Sequence, residues 1–179
     1  YLYTNLLILK LFGVSYAGMK LFSVIPGIVT CAAVFLICQL LFSSRVALWT
    51  SLLFAVAHWA VRLSRYGWDV SFMVMAFSLT IFLLLLAIER RRDFFAYLSG
   101  LSAGIGLYSY AASRSCVLSV AVFLIVEWIL EKEQWILRLS FAFMTGLTIV
   151  TFPLFCYYFS NSNAFWVRAA ELSVFNSES

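Results

Sequence analysis

The chain has 179 residues, of which 64% are hydrophobic, 18% are aromatic and only 11% are charged, and its formal net charge is +4. This composition, with a mean hydropathy of +1.00, excludes an ordinary soluble domain, in which about half of the residues are apolar and about a quarter are charged. It predicts a polytopic membrane protein of the all-α class, a bundle of transmembrane helices with the lipid bilayer as its partner and no nucleic-acid partner.

Apolar runs long enough to cross a membrane follow an amphipathic start. Residues 1–20 carry three tyrosines beside Lys10 and Lys20, which predicts a helix lying in the membrane interface. About six spans are predicted after it, since crossing the hydrocarbon takes roughly 20 apolar residues. Their predicted bounds are residues 21–42, 46–63, 70–88, 94–112, 115–130 and 135–159. Residues 160–179 are predicted to form an extracytoplasmic segment.

Neither end of the chain has the features of a natural terminus. The chain starts at Tyr1 without the basic start, apolar core and cleavage site of a signal peptide, and it stops abruptly at Ser179. We therefore expect an internal piece of a longer protein.

Small residues and the potential metal ligands in the spans are interpreted as structural. Gly100 and Gly104 have the spacing that lets two helices approach closely. The four cysteines lie in apolar runs without the spacing of a redox or zinc site, and a single histidine, His58, cannot build a metal site. No metal site and no specific cofactor are predicted.

Two polar segments interrupt the apolar runs, and both carry arginine and tyrosine. Ionised groups are costly in hydrocarbon, so each segment is expected at a membrane surface. The first polar segment, residues 62–69, contains Arg62, Arg65, Tyr66, Trp68 and Asp69. The second polar segment, residues 108–114, contains Tyr108, Tyr110, Ser113 and Arg114.

The basic residues do not orient the chain by their number. If every apolar run crosses, the 12 basic residues divide equally between the two sides. One side carries Arg45, Arg90, Arg91, Arg92, Lys132 and Arg138 in compact turns. The other carries Lys10, Lys20, Arg62, Arg65, Arg114 and Arg168, interleaved with aromatic residues. The interleaved set suggests binding of an anionic group such as a lipid phosphate.

A plain structural interpretation of the same residues stays open. Arg62 and Arg65 would extend to the interface as membrane arginines often do, and the tyrosines would belong to an aromatic belt. Asp69 would pair with Arg65 one helical turn away. None of these residues would then contact a ligand.

Five short stretches resemble the membrane glycosyltransferases related to dolichyl-phosphate-mannose protein mannosyltransferases and to bacterial aminoarabinose transferases. They are Leu11–Ser15, Lys20–Ser23, Leu41–Leu48, Ser64–Arg65 and Gly104–Arg114. These enzymes are of the family 39 type and have the C-type glycosyltransferase fold. The resemblance implies transfer of a sugar from a polyprenyl-phosphate donor to an acceptor on the extracytoplasmic face of a membrane, here a bacterial plasma membrane.

The resemblance also implies roles for residues of the two polar segments. Lys20, Arg65 and Arg114 are expected near the donor phosphate. The other residues expected to bind the sugar or the lipid are Tyr66, Tyr108, Tyr110 and Asp69. The catalytic carboxylate of the family follows its first span, so we expect it upstream of Tyr1 and do not assign it to Asp69.

Two other classes of protein remain open on the sequence alone. Half of a transporter would also have about six spans, but ionisable residues near the middle of the bilayer would be expected. A structural subunit needs only close helix packing and aromatic belts. The concentration of polar residues at one surface favours the transferase over the transporter.

Overall fold

The computed structural model describes residues 16–66, 69–110 and 112–160, and within these ranges it contains seven helices and no strand. The predicted all-α class is therefore confirmed. The helices are α1 (Tyr16–Leu41), α2 (Ser44–Val56), α3 (His58–Tyr66), α4 (Asp69–Arg90), α5 (Asp93–Leu107), α6 (Ser113–Glu131) and α7 (Gln134–Ser160). Residues 1–15 of the predicted interfacial helix and residues 161–179 of the predicted C-terminal segment, with Lys10 and Arg168, lie outside the described residues.

Four of the described helices are long and apolar enough to cross a membrane. They contain Ser23–Leu41, Val70–Arg90, Ser113–Leu130 and Gln134–Tyr157, in helices α1, α4, α6 and α7. Helix α5, which covers most of the predicted span 94–112, has 15 residues and is shorter than these four spans. Helix α1 includes residues 16–20, which the sequence had assigned to the interfacial helix.

The apolar run predicted as one span over residues 46–63 forms two helices. Ala57, with φ −60° and ψ 127°, is extended and ends α2 after 13 residues. At about 1.5 Å per residue α2 is roughly 20 Å long, shorter than a hydrocarbon core of about 30 Å. The rings of Phe54 and Trp59 meet edge to face across the break, 5.8 Å between centroids.

Helices α4 and α6 both end in charged turns, and each turn contains a residue with a positive φ. Arg91 has φ 49° after α4, and Lys132 has φ 51° after α6. At the first turn the Arg92 N–H donates to the Ala87 carbonyl over 3.2 Å. A hydrogen bond of this kind closes a helix when the residue just after the helix, here Arg91, adopts the left-handed conformation.

Helix α5 packs against α4 on one side and α7 on the other. It runs antiparallel to α4, because Ser99 Oγ donates to the Thr80 carbonyl and Ser102 Oγ donates to the Ala76 carbonyl. It runs parallel to α7, because Asp93 pairs with Arg138 at one end and the Tyr108 hydroxyl donates to the Val150 carbonyl at the other.

Glycines set the distance between α5 and α7. A Cβ on Gly100 would lie 2.0 Å from the Phe143 carbonyl oxygen, and one on Gly146 would lie 2.2 Å from the Tyr97 carbonyl oxygen. A Cβ on Gly104 would lie 2.7 Å from the Val150 Cβ. The close helix packing predicted for Gly100 and Gly104 is confirmed, and α7 is the neighbour that requires it.

Candidate functional site

The two polar segments lie at the same end of the helix bundle. The second polar segment joins α5 to α6, and Ser113 and Cys116 meet Met73 and Ala76 there, near the start of α4. The first polar segment runs from the end of α3 into that same start of α4, at Asp69. The N-terminal end of α4 is therefore bordered by both segments, as their assignment to one surface requires.

The second polar segment is held together by hydrogen bonds that its sequence did not reveal. Ser113 is 3% exposed, and its hydroxyl donates to the Gly106 carbonyl over 2.7 Å and also to the Tyr110 carbonyl. The Ser109 N–H donates to the Gly106 carbonyl over 3.0 Å. Ser113 thus fixes the turn that positions Tyr108, Tyr110 and Arg114. A serine in a polar stretch gives no sequence signal for that role.

The predicted ligand-binding residues of the second polar segment are accessible. Tyr108 is 43% exposed and Tyr110 45% exposed. Arg114 is exposed and is the second residue of α6. The Tyr108 hydroxyl donates to the Val150 carbonyl over 2.8 Å, so Tyr108 links this segment to α7 while part of its ring stays open to the surroundings.

The predicted residues of the first polar segment are located by their backbone only. Arg65 and Tyr66 end α3, and Asp69 begins α4, so the proposed pair of Arg65 and Asp69 does not lie within one described helix. Lys20 lies in the first turns of α1. The side chains of these four residues lie outside the described part of the structure.

A cavity that the sequence did not predict lies between α1, α2, α3 and α4. Its volume is about 640 Å³. Along α1 it runs from Val24 to Leu36, which corresponds to roughly 18 Å of helix. Trp59, Ala60 and Val61 line it at the end of the bundle where the first polar segment begins.

Three polar side chains of the cavity wall, Thr30, Cys31 and Ser51, donate to neighbouring backbone carbonyls. Thr30 Oγ1 donates to the Pro26 carbonyl over 2.7 Å, and Ser51 Oγ donates to the Leu48 carbonyl over 3.0 Å. The Cys31 thiol donates to the Ser51 carbonyl over 3.5 Å. The remaining wall is almost entirely aliphatic and aromatic, so the cavity suits an apolar occupant.

Within the described residues, no group of three or more His, Cys, Asp or Glu side chains is placed to hold a metal ion. The chemistry available at this end of the bundle comes from arginine, tyrosine and backbone groups. Helices α4 and α6 both begin here, and a helix N-terminus carries a partial positive charge. The arrangement can bind an anionic head group with an apolar tail.

Comparison with protein families identifies one match. The family described as dolichyl-phosphate-mannose-protein mannosyltransferase matches residues 1–160. Comparison with curated proteins and with solved structures gives no match. Because the matched residues make up most of its length, this chain belongs to the dolichyl-phosphate-mannose-protein mannosyltransferase family.

Proposed function

We propose that this chain forms the donor-binding part of a membrane glycosyltransferase, which transfers a sugar from a polyprenyl phosphate to an acceptor outside the cytoplasm. Membership of the family makes it a mannosyltransferase-like membrane protein. The observation that carries the proposal is an apolar cavity of about 640 Å³ whose wall reaches the start of the first arginine-containing polar segment, at the end of the bundle where the second such segment also lies. A polyprenyl-phosphate sugar has the matching form, a long apolar tail with an anionic polar head.

The cavity is the proposed site for isoprene units of the donor. Of its four helices, α1 and α4 contain spans of membrane length, and the hydroxyls of Thr30 and Ser51 donate to the backbone of their own helices. A branched hydrocarbon chain loses no hydrogen bonds on entering such a space, and it gains contacts that water would not make.

The donor phosphate is proposed to lie between the polar segments. Arg114 is exposed at the start of α6, and Arg62 directly follows Val61 of the cavity wall. Lys20 and Arg65 are proposed to contribute further positive charge. Guanidinium groups bind phosphate oxygens through paired hydrogen bonds, and they stabilise the charge that grows on a phosphate as it leaves.

The proposed reaction is a displacement at the anomeric carbon of the sugar. The acceptor oxygen forms a bond to that carbon, the bond from the carbon to the phosphate oxygen breaks, and the polyprenyl phosphate leaves with the electron pair. A carboxylate takes the acceptor proton. Asp69, Tyr66, Tyr108 and Tyr110 are proposed to bind sugar hydroxyls or the lipid, and the catalytic base is not assigned to any of them.

The test uses the full-length protein in bacterial membranes supplied with a panel of polyprenyl-phosphate sugars, with donor consumption followed by mass spectrometry. Wild type is compared with Arg114→Gln and Arg65→Gln at equal amounts of folded protein. We expect one donor to be consumed and each variant to slow its consumption by about 100-fold, as for loss of a group that stabilises developing charge.

Arg45→Gln is the matched control. Arg45, like Arg114, is an exposed arginine at the second position of its helix. It lies at the opposite end of the bundle, where α1 has ended, and its replacement should leave consumption unchanged. Equal losses in Arg45→Gln and Arg114→Gln would contradict the proposed site. A folded wild type that consumes no donor in acceptor-containing membranes would contradict the function and favour a transporter or structural subunit.

A further inference from the structure

A second cationic surface lies at the end of the bundle away from the polar segments. Here the turn between α4 and α5 meets the turn between α6 and α7. The Arg91 guanidinium carbon lies 4.9 Å from the centroid of the Trp135 ring. Arg138 Nη2 lies 2.8 Å from Asp93 Oδ2. These two contacts join the turns into one surface, which we call the arginine face, formed by residues 89–93 and 132–138.

Arg91 is held in place on this face. Its left-handed backbone follows the end of α4, and its N–H donates to the Ile88 carbonyl over 3.4 Å. The guanidinium lies over the indole ring. A guanidinium held over an aromatic ring keeps its positive charge and its five N–H donors, which suit the oxygens of a phosphate. Arg91 is thus organised for an anion before one arrives.

The charges around Arg91 favour an anion locally. Arg90, Arg92 and Lys132 are exposed beside it. The acidic residues of the two turns are Glu89, Asp93, Glu131 and Glu133, and Asp93 is paired with Arg138. Three consecutive arginines with one of the carboxylates already paired leave the turn between α4 and α5 positive.

Apolar side chains next to these charges indicate an amphiphile. Trp135 packs against the buried residues Ala87, Ala96 and Leu139. Phe94 is 63% exposed in the first turn of α5, and Leu130 is 74% exposed in the last turn of α6. A soluble anion would gain nothing from this apolar surface, whereas the acyl chains of a lipid would cover it.

From these observations we infer that the arginine face binds the head-group phosphate of an anionic phospholipid, with Arg91 stacked on Trp135 as its main contact. The site is separate from the proposed donor site and does not depend on the transfer reaction.

The experiment titrates purified full-length protein in detergent with phosphatidylglycerol, phosphatidylcholine or inorganic phosphate, and it counts bound molecules by native mass spectrometry. Phosphatidylglycerol should bind most tightly. Arg91→Asn, which removes the charge but tolerates a positive φ, should weaken that binding by about fivefold, the effect of about one basic residue at a membrane surface. Trp135→Leu leaves the net charge unchanged and should weaken binding by about twofold, because the stacked arginine is released.

Arg45→Gln is again the control, since it removes an exposed arginine at the same end of the bundle. It should change binding little. Equal effects of Arg45→Gln and Arg91→Asn would overturn the site in favour of diffuse attraction, as would unchanged binding in Trp135→Leu. Displacement of the lipid by inorganic phosphate at equal concentration would assign the face to a soluble anion. If Arg91→Asn does not fold, Arg91→Lys carries the test, because it keeps the charge and loses the planar donor edge.

Discussion

Two regions of the bundle differ in how closely their helices pack. One region is the contact between α5 and α7, and the other is the group of α1, α2 and α3. Between α5 and α7 the backbones touch, and Phe143 and Leu139 are 0% and 1% exposed. Among α1, α2 and α3, with α4, the helices leave an open cavity of about 640 Å³. One region has no room for a methyl group and the other has room for a ligand. The contact between α5 and α7 therefore maintains the fold, whereas the cavity region is available for binding.

The difference follows from residue size and helix length. Helix α5 buries Ala96, Ser99, Gly100, Ala103, Gly104 and Gly106, and such small residues allow backbones to meet. Helix α2 stops after 13 residues, and among the described residues it makes no contact with α4. The cavity fills the space between them, and α3 forms part of its wall.

Adding one methyl group where α5 meets α7 should have the largest effect on stability. Gly100→Ala places a Cβ 2.0 Å from a carbonyl oxygen of α7, so we expect it to lower the free energy of unfolding by about 3 kcal/mol. Gly106→Ala is the control in the same helix, because its Cβ would lie 3.3 Å from Ala76 Cβ. It should cost less than about 1 kcal/mol, offset by the better helix propensity of alanine. Thermal unfolding in detergent measures both. Similar stability of the two variants would contradict close packing at Gly100.

Filling the cavity should weaken binding of the donor without lowering the stability of the fold. Ala60→Phe adds a ring to the cavity wall, where there is space for it, so stability should change little. The KM for the polyprenyl donor should rise by about tenfold, because the ring takes the place of part of the lipid, equivalent to about 1.4 kcal/mol of binding. Leu118→Phe, at a 65% exposed position of α6, is the control. A large loss of stability in Ala60→Phe would mean that the cavity closes in the membrane.

Replacing one serine in each region should change stability by smaller amounts. Ser99 is fully buried and its hydroxyl donates to the Thr80 carbonyl of α4 over 2.8 Å. Ser51 lines the cavity and donates within its own helix. Ser99→Ala should lower the free energy of unfolding by about 1 kcal/mol, since it removes a hydrogen bond between helices. Ser51→Ala should lower it by less than about 0.5 kcal/mol. Equal losses of unfolding free energy in the two variants would show that the hydrogen bond between helices at Ser99 stabilises the fold no more than the bond within a helix at Ser51.

Much of the fold follows from the sequence because membranes impose simple rules. Long apolar runs predicted the helices α1, α4, α6 and α7, and charged clusters predicted the turns at residues 89–93 and 131–134. The glycine spacing in α5 predicted a close neighbour. The break at Ala57 was missed, because neither glycine nor proline marks it and only tertiary contacts such as that of Phe54 with Trp59 accompany it.

The sequence predicts a chemistry for the candidate site, but it does not predict the shape of the site. Arginines and tyrosines between apolar runs indicated an anionic ligand at a membrane surface, and the structure brings the two polar segments to one end of the bundle. The roles of Lys20, Arg65, Tyr66 and Asp69 stay predictions. The link from Tyr108 to Val150 joins residues 42 positions apart, and no local pattern encodes such a contact.

The membrane setting, the all-α class and the family follow from the amino-acid sequence alone, since hydropathy, charge placement and short motifs are local properties of a chain. Only the tertiary structure decided that α7 is the parallel neighbour of α5, that a cavity opens beside α3, and that Arg91 lies over Trp135. Each of these depends on which helix faces meet, and that choice depends on the fit of side chains far apart in sequence.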